Sequence, residues 1–224
     1  MRLYMHPAST TCRSVLHFIA DNDIDLELRA VDIFTGEHYG EAYAALNPNR
    51  LVPMLEDGDF RLTESATILR YLAEKTGSPA YPRDLRGRAR VDEALDWFNS
   101  NFYRDWGYGF VYPQVFPHLK RQDPEVQDAV VAWGKEKSQG WLKILNDHWI
   151  GAEKPYLCGA DVTIADYMGT ALTTAGELVH CDFAAYPNVA RWLGNMKERP
   201  SYAKVYEVFN GFVASTKGQP FQTI

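Results

Sequence analysis

Cysteine is scarce in this chain, and no paired-cysteine motif occurs. Only three of its 224 residues are cysteines, at positions 12, 158 and 181. Such a small and odd number argues against a disulfide scaffold and favours a reducing compartment, so we expect a cytoplasmic protein. The six histidines lack the spacing of metal ligands, and there is no C-x-x-C pair, so we predict that no metal is bound.

Long apolar runs and an excess of basic charge are also missing. No window approaches the roughly 18 apolar residues of a membrane span, and no signal-peptide-like apolar segment follows Met1-Arg2. The formal net charge of -6 argues against nucleic acid as the main partner. We therefore expect an ordinary soluble globular protein that binds neither membranes nor nucleic acid.

Residues 1–76 combine strand-like and helix-like patterns. Apolar spacing predicts strands at 2–5 and 26–31, helices at 11–23 and 64–75, and a short helix at 39–46. A hairpin is predicted around the turn Asp57-Gly58. The predicted order is βαβαββα, which is typical of a small α/β domain.

The remainder of the chain has the periodicity of helices alone. Residues 77–87 are rich in proline, glycine and charge and are interpreted as a linker. Beyond them the pattern predicts an all-helical domain over 88–224, with an irregular tail from 214. Its predicted helices span 88–118, 124–150, 163–178, 187–197 and 201–212.

The segment between the first strand and the first helix has three consecutive hydroxyls, Ser9, Thr10 and Thr11. Unpaired N–H groups and the positive end of the helix dipole favour an anion at this place, and a hydroxyl could donate to a thiolate or carboxylate. The alternative is that one hydroxyl simply caps the helix. Cys12 is interpreted as a structural cysteine rather than a nucleophile, because no histidine or second cysteine lies near it in sequence.

Residues 47–72 place a proline inside an apolar run and open a helix with Glu64-Ser65. If the peptide bond before Pro53 is cis, the Val52 N–H and C=O turn outward and can pair with an extended peptide. Ser65 suits a carboxylate, Glu64 an ammonium group and Arg50 a second carboxylate. The pattern indicates an extended, zwitterionic peptide ligand. A structural cis-proline beside a capped helix is the alternative.

Together these motifs resemble the glutathione transferases, most closely the serine-type theta and delta enzymes. The segment ASTTCRSV (8–15) resembles the family's Ser-x-x-Cys-Arg loop, and residues 36–72 resemble its glutathione-binding run. The segment ADVTIADYM (160–168) resembles the family's capping box, with Thr163 and Asp166 as the capping pair. The resemblance extends over essentially the whole chain. It implies a thioredoxin-like N-terminal domain, an all-helical second domain and a homodimer.

The resemblance also implies roles for individual residues. Ser9 matches the catalytic serine that hydrogen-bonds the glutathione sulfur, and Val52, before a cis Pro53, matches the residue that pairs with the cysteinyl unit. Glu64 and Ser65 match the γ-glutamyl clamp. The implied glutathione site comprises Thr10, His38, Arg50, Leu51, Val52, Pro53, Glu64 and Ser65.

The chain departs from the family pattern at three places. Thr11 stands where many relatives have proline, and Thr10 is a second hydroxyl beside Ser9. The fourth-helix region that often supplies an acidic residue to the partner subunit's site reads Asn99-Ser100-Asn101 here.

Residues 97–112 are dense in aromatic side chains, and Gly107 and Gly109 suggest a break in the helix, as at a pocket rim. We place Tyr103, Trp106 and Tyr108 at a hydrophobic acceptor site, with plain core packing as the alternative.

The expected function is detoxifying transfer of glutathione sulfur to small hydrophobic electrophiles. The alternatives are a glutathione-dependent isomerase or reductase, and a binding module without catalysis.

Overall fold

A four-stranded sheet forms the centre of the N-terminal part. The computed structural model describes all 224 residues. Its strands are β1 (Arg2–Met5), β2 (Glu27–Ala30), β3 (Met54–Asp57) and β4 (Phe60–Leu62). They are arranged in the order β2-β1-β3-β4, with β2 parallel to β1 and the other pairs antiparallel.

Three helices accompany the sheet, one between β1 and β2, one between β2 and β3, and one after β4. They are α1 (Thr10–Asp21), α2 (Glu41–Ala44) and α3 (Ser65–Thr76). The apolar residues of α1 and α3 recur at helical spacing, and their side chains pack with Leu3 and Leu55 of the sheet in one core. The observed order confirms the predicted βαβαββα domain.

The strand register places three loops at one edge of the sheet. Met5 at the end of β1 lies opposite Ala30 at the end of β2, and Tyr4 lies opposite Met54 at the start of β3. The end of β4 also reaches this edge, because Leu62 pairs with Leu55. The segments that follow β1, β2 and β4 and the segment that precedes β3 therefore meet at the same edge.

The second part of the chain is helical throughout. Its α-helices are α4 (Leu85–Trp97), α5 (Tyr112–Val115), α6 (Pro124–Ile144), α7 (Ile164–Thr173), α8 (Pro187–Lys197), α9 (Tyr202–Val205) and α10 (Glu207–Ser215). Widened π-helical turns at Phe98–Phe102 and Arg104–Val111 join α4 to α5, and Leu145–Ile150 extend α6. Helix α4 begins within the predicted linker, at Leu85. No helix is long and apolar enough to cross a membrane.

The helix break predicted at Gly107 and Gly109 is wrong, since the backbone stays helical from α4 to α5. Close packing requires the small size of Gly107, and the Gly109 backbone is where another helix crosses. A Cβ on Gly107 would lie 2.6 Å from the Tyr103 ring. A Cβ on Gly134 of α6 would lie 2.2 Å from the Gly109 carbonyl oxygen, so α6 crosses this helix at backbone contact.

The two parts of the chain share one apolar core, and α1 packs directly on α7. At this contact His17 is fully buried among the rings of Tyr167, Tyr202 and Tyr206. Its Nε2 lies 3.7 Å from the Asp21 carboxylate, and neither ring nitrogen has a hydrogen-bond partner. Burial lowers the pKa of His17 to about 4, so the imidazole is neutral in the folded protein at neutral pH.

Stability should therefore depend on pH through His17. The unfolded imidazole binds a proton below about 6.5, while the folded one resists protonation until about 4, so stability falls as pH decreases through this window. We expect a loss of about 2 kcal/mol between pH 8 and pH 5. His17→Phe should remove this component. The urea midpoints of the wild type and His17→Phe are measured from pH 5 to pH 8, and their difference should change with pH. Parallel profiles would contradict the assignment of this pH dependence to His17.

Candidate active site at the sheet edge

Ser9 is the N-cap of α1. Its backbone is extended (φ -66°, ψ 127°), and its Oγ accepts the Cys12 N–H at 3.4 Å. The Oγ also lies 3.2 Å from Thr11 Oγ1. Since the Ser9 oxygen already accepts a backbone N–H, its proton remains for donation to another acceptor. The side chain is half-buried at the sheet edge, where the first N–H groups of α1 add positive potential.

Thr10, the second predicted hydroxyl, lies in a different environment. It is buried, and its Oγ1 accepts from the Tyr112 hydroxyl at 2.7 Å and from Arg13 Nη2 at 3.4 Å. These contacts turn it toward the helical part of the chain. The two neighbouring hydroxyls therefore lie in different environments. Ser9 is half-buried at the sheet edge, and Thr10 lies at the contact with α5.

Cys12 is fully buried behind Ser9. Burial raises the pKa of its thiol to about 11, and the hydrogen bond with Ser9 offsets this only in part. A thiol with such a pKa supplies almost no thiolate at neutral pH. The reductase alternative therefore loses its one candidate nucleophile in this loop.

The peptide bond between Val52 and Pro53 is cis, as the sequence led us to consider. The Val52 N–H is bonded to no group of the chain, whereas its carbonyl oxygen accepts the Thr11 hydroxyl at 3.1 Å. An extended peptide can therefore pair with the free N–H.

The predicted residue Leu51 has a fixed backbone and a side chain that is 61% exposed. Its carbonyl accepts from Tyr43 Oη at 2.7 Å and from Asn47 Nδ2 at 2.8 Å. Sequence reasoning missed these two contacts, because the sequence does not show which carbonyl a polar side chain will reach.

Glu64 and Ser65 lie where β4 turns into α3. Glu64 has φ 67° and ψ 113°, a rare backbone conformation for a residue with a side chain, and its exposed carboxylate has no partner in the chain. Ser65 is buried as the first residue of α3, where the N–H groups lack helical partners. Backbone strain of about 1–3 kcal/mol is typical of functional positions. The pair presents a carboxylate beside an anion-binding helix end.

His38 and Arg50 lie on the long segment between β2 and β3. His38 is buried, its Nδ1 has no partner, and its ring packs 3.9 Å from the centroid of Tyr39. Burial lowers the pKa of His38. Arg50 is exposed, at φ 56°, and makes no side-chain ion pair within the chain. The segment that carries both residues returns to the same sheet edge at the start of β3.

The three aromatic residues predicted at the acceptor site lie in different environments. Tyr108 is 56% exposed, and its ring lies 5.3 Å from those of both Tyr103 and Tyr112. Tyr103 is half-buried, with its hydroxyl 2.7 Å from that of Tyr112. Trp106 is fully buried, and its indole N–H donates to the Leu172 carbonyl at 3.0 Å. Trp106 therefore lies in the helical core and not at a pocket surface.

Further aromatic rings, distant in sequence, extend from Tyr112 toward the sheet edge. The centroid distances are 5.3 Å for Tyr112–Phe116, 6.0 Å for Phe116–Phe212, 6.3 Å for Phe212–Phe34 and 5.0 Å for Phe34–His6. We call this set the aromatic arc. It joins α5 and α10 to the loops after β1 and β2. Sequence reasoning missed it, because only the fold brings positions 34, 116 and 212 together.

No group of three or more His, Cys, Asp or Glu side chains is arranged to hold a metal ion. The functional groups at the sheet edge are instead hydroxyls, backbone N–H groups and single charges. Hydrogen-bond donors and single charges of this kind are suited to anionic or zwitterionic organic molecules.

Known proteins match this chain in sequence and in fold. Residues 1–74 match the family model of the glutathione S-transferase N-terminal domain. The chain is 36% identical to human glutathione S-transferase theta-1 over 202 residues. This alignment covers 86% of this chain and 80% of the human protein.

Two solved structures superpose on this chain over nearly its full length. The complex of human glutathione transferase theta-2 with glutathione and an unknown ligand has a TM-score of 0.86 at 29% identity, covering 100% of this chain and 93% of that one. A delta-class glutathione transferase from Nilaparvata lugens has a TM-score of 0.82 at 30% identity, covering 96% and 98%. This chain belongs to the glutathione S-transferase family and is a theta-like glutathione transferase.

Proposed function

We propose that Ser9 stabilises the glutathione thiolate and that the enzyme transfers this sulfur to small hydrophobic electrophiles. One observation carries the proposal: a half-buried hydroxyl at the N-terminus of α1 lies on the same sheet edge as the unpaired Val52 N–H. A peptide paired with Val52 would have its cysteine side chain near that hydroxyl.

The charges along the edge match the two ends of glutathione. In the proposed arrangement the γ-glutamyl carboxylate binds Ser65 and the first N–H groups of α3, and the γ-glutamyl ammonium binds Glu64. The glycyl carboxylate then lies toward His38 and Arg50. Tyr43 and Asn47 contribute by holding the Leu51 carbonyl, which fixes the backbone beside Val52.

Ser9 acts as a hydrogen-bond donor and not as a general base. Its hydroxyl donates to the sulfur anion, and the N-terminus of α1 adds favourable potential. In halide displacement the thiolate electron pair forms the new C–S bond, and the halide leaves with the electrons of the C–halide bond. In addition reactions the displaced electron pair takes up a proton from water.

The aromatic arc supports an apolar electrophile as the second substrate. Aromatic faces pack favourably against flat apolar molecules, and the arc approaches the Ser9 loop through His6 and Phe34. The proposed acceptor site therefore comprises Tyr103, Tyr108, Phe116, Phe212 and Phe34, without the buried rings of Trp106 and Tyr112.

Assembly and location complete the proposal. We place the enzyme in the cytoplasm as a homodimer. The three unpaired cysteines agree with a reducing compartment. Phe60 lies on β4, the outermost strand on one side of the sheet, and is 46% exposed. This apolar side chain is available for a subunit contact.

The acceptor assignment is tested by conjugation to a small aryl chloride, followed through chloride release and the mass of the conjugate. Phe212→Ala should raise the KM for the aryl chloride about tenfold, because it removes apolar contact area, and should leave the KM for glutathione unchanged. Val208→Ala, on the exposed side of the same helix, is the matched control. Glutathione binding without any conjugate would indicate a binding module and overturn the proposed reaction.

A further inference from the structure

The hydroxyl of Thr11 lies between Ser9 and Val52. Thr11 Oγ1 is 3.2 Å from Ser9 Oγ and 3.1 Å from the Val52 carbonyl oxygen. A hydroxyl has a single proton and can donate it to only one of these two atoms at a time. Thr11 therefore connects the group that would hold the sulfur with the backbone that would hold the peptide.

The chemistry of the three oxygens determines the direction of these hydrogen bonds in the structure. A carbonyl oxygen only accepts, so the Thr11 proton is directed at Val52. The Ser9–Thr11 contact then requires Ser9 to be the donor. In this arrangement the Ser9 proton points at Thr11, and the Val52 carbonyl has an internal partner.

A bound peptide permits the opposite arrangement. If the cysteinyl N–H of glutathione donates to the Val52 carbonyl, the Thr11 hydroxyl can rotate and donate to Ser9. The Ser9 proton is then free for the sulfur, and the three groups form a chain from Thr11 to Ser9 to the thiolate. Each hydrogen bond in such a chain polarises the next and strengthens it.

We propose that Thr11 is a positioning residue that couples occupation of the Val52 carbonyl to donation of the Ser9 proton to sulfur. This inference rests on the proposed role of Ser9. Thr11 does not touch the sulfur and affects it only through Ser9. Only hydroxyl rotations are involved, so no covalent bond changes.

The proposal predicts that Thr11→Val weakens the stabilisation of one ligand, the thiolate, without weakening the binding of another. Thr11→Val keeps the side-chain shape but removes the hydroxyl, so the Ser9 bond to a thiolate is weakened. The same change leaves the Val52 carbonyl without its internal partner in the empty site, so a peptide that pairs with it loses a competitor. A purely structural role would instead weaken the binding of both ligands.

The test compares the wild type with Thr11→Val, Thr11→Ser and Ser9→Ala. The pKa of bound glutathione is followed by thiolate absorbance, and the binding of S-methylglutathione, which has no thiolate, is followed by calorimetry. We expect Thr11→Val to raise the thiol pKa by about 0.2–0.6 units, which is 10–30% of a shift of about two units. Thr11→Ser should restore the wild-type pKa, and Thr11→Val should bind S-methylglutathione at least as tightly as the wild type.

Three results would overturn the coupling. An unchanged thiol pKa in Thr11→Val, together with a shifted one in Ser9→Ala, would leave the role of Ser9 intact and remove that of Thr11. Weaker binding of S-methylglutathione by Thr11→Val would indicate a structural role for Thr11. An unchanged thiol pKa in Ser9→Ala would remove the proposed function of Ser9 and the coupling with it.

Discussion

At saturating glutathione, Ser9→Ala is expected to lower kcat/KM for the electrophile about 50-fold at pH 6.5. Near pH 9.5 the variant should approach wild-type activity. The pH dependence is the informative part of this prediction, since thiol acidification and sulfur placement contribute differently to it. A loss that is constant across this range would contradict the proposed role of the hydroxyl.

Lowering the pKa of the thiol accounts for only a small part of the expected rate gain. An unperturbed thiol of pKa about 8.5 is roughly 3% ionised at pH 7, and lowering its pKa to about 6.5 raises the thiolate fraction roughly 25-fold. The less basic thiolate is also about tenfold less nucleophilic at a Brønsted slope near 0.5. The net gain at pH 7 is only a few-fold, so placement of the sulfur must supply the rest.

The two components separate as pH rises. Near pH 6.5 the thiolate fractions of wild type and Ser9→Ala differ by about 50-fold, and near pH 9.5 both are close to complete. A placement loss of about tenfold then roughly cancels the higher nucleophilicity of the more basic thiolate. Ser9→Thr, which keeps a hydroxyl, is the matched control and should show a much smaller pH dependence of the loss.

Asp166→Ala is expected to lower the free energy of unfolding by about 4 kcal/mol, a large part of the total for a typical domain. The carboxylate is fully buried at the start of α7 and accepts the N–H groups of Leu157 and Thr163, each at 2.8 Å. It also accepts the Trp192 indole N–H at 3.0 Å. It further accepts the Thr163 hydroxyl at 2.9 Å. Removing the carboxylate leaves four buried donors without this partner, and each costs roughly 1–3 kcal/mol.

The measurement is the urea midpoint at pH 7.5, with Asp161→Ala as the control. Asp161 is an exposed carboxylate in the loop before α7, and its removal should change stability by less than about 0.5 kcal/mol. Asp166→Asn keeps one accepting oxygen and should fall between the two. Equal midpoints for Asp166→Ala and Asp161→Ala would show that the capping box does not stabilise the contact between α7 and α8.

Local sequence signals predicted much of the fold. Alternating apolar residues and the Asp57-Gly58 turn predicted the sheet and hairpin, and the Thr163–Asp166 spacing predicted the capping box that is observed. These features depend on neighbours in sequence, so short windows contain the information.

Contacts between distant residues were less predictable. Gly109 looked like a helix break, although its backbone continues the helix and contacts Gly134, whose small size permits the crossing. Trp106 could not be separated from Tyr108 by helical spacing alone, because the π-helical turns change which side of the helix each residue occupies. The contact of Thr11 with the Val52 carbonyl joins residues 41 positions apart, and no local pattern predicts it.

The most direct test of the account is the thiolate absorbance of bound glutathione as a function of pH in the wild type and in Ser9→Ala. We predict a wild-type thiol pKa well below the free value of about 8.5 and a return toward that value in Ser9→Ala. Equal thiol pKa values in the two proteins would contradict thiolate stabilisation by Ser9. Failure of the wild type to bind glutathione would contradict the assignment of Val52, Glu64 and Ser65 as well.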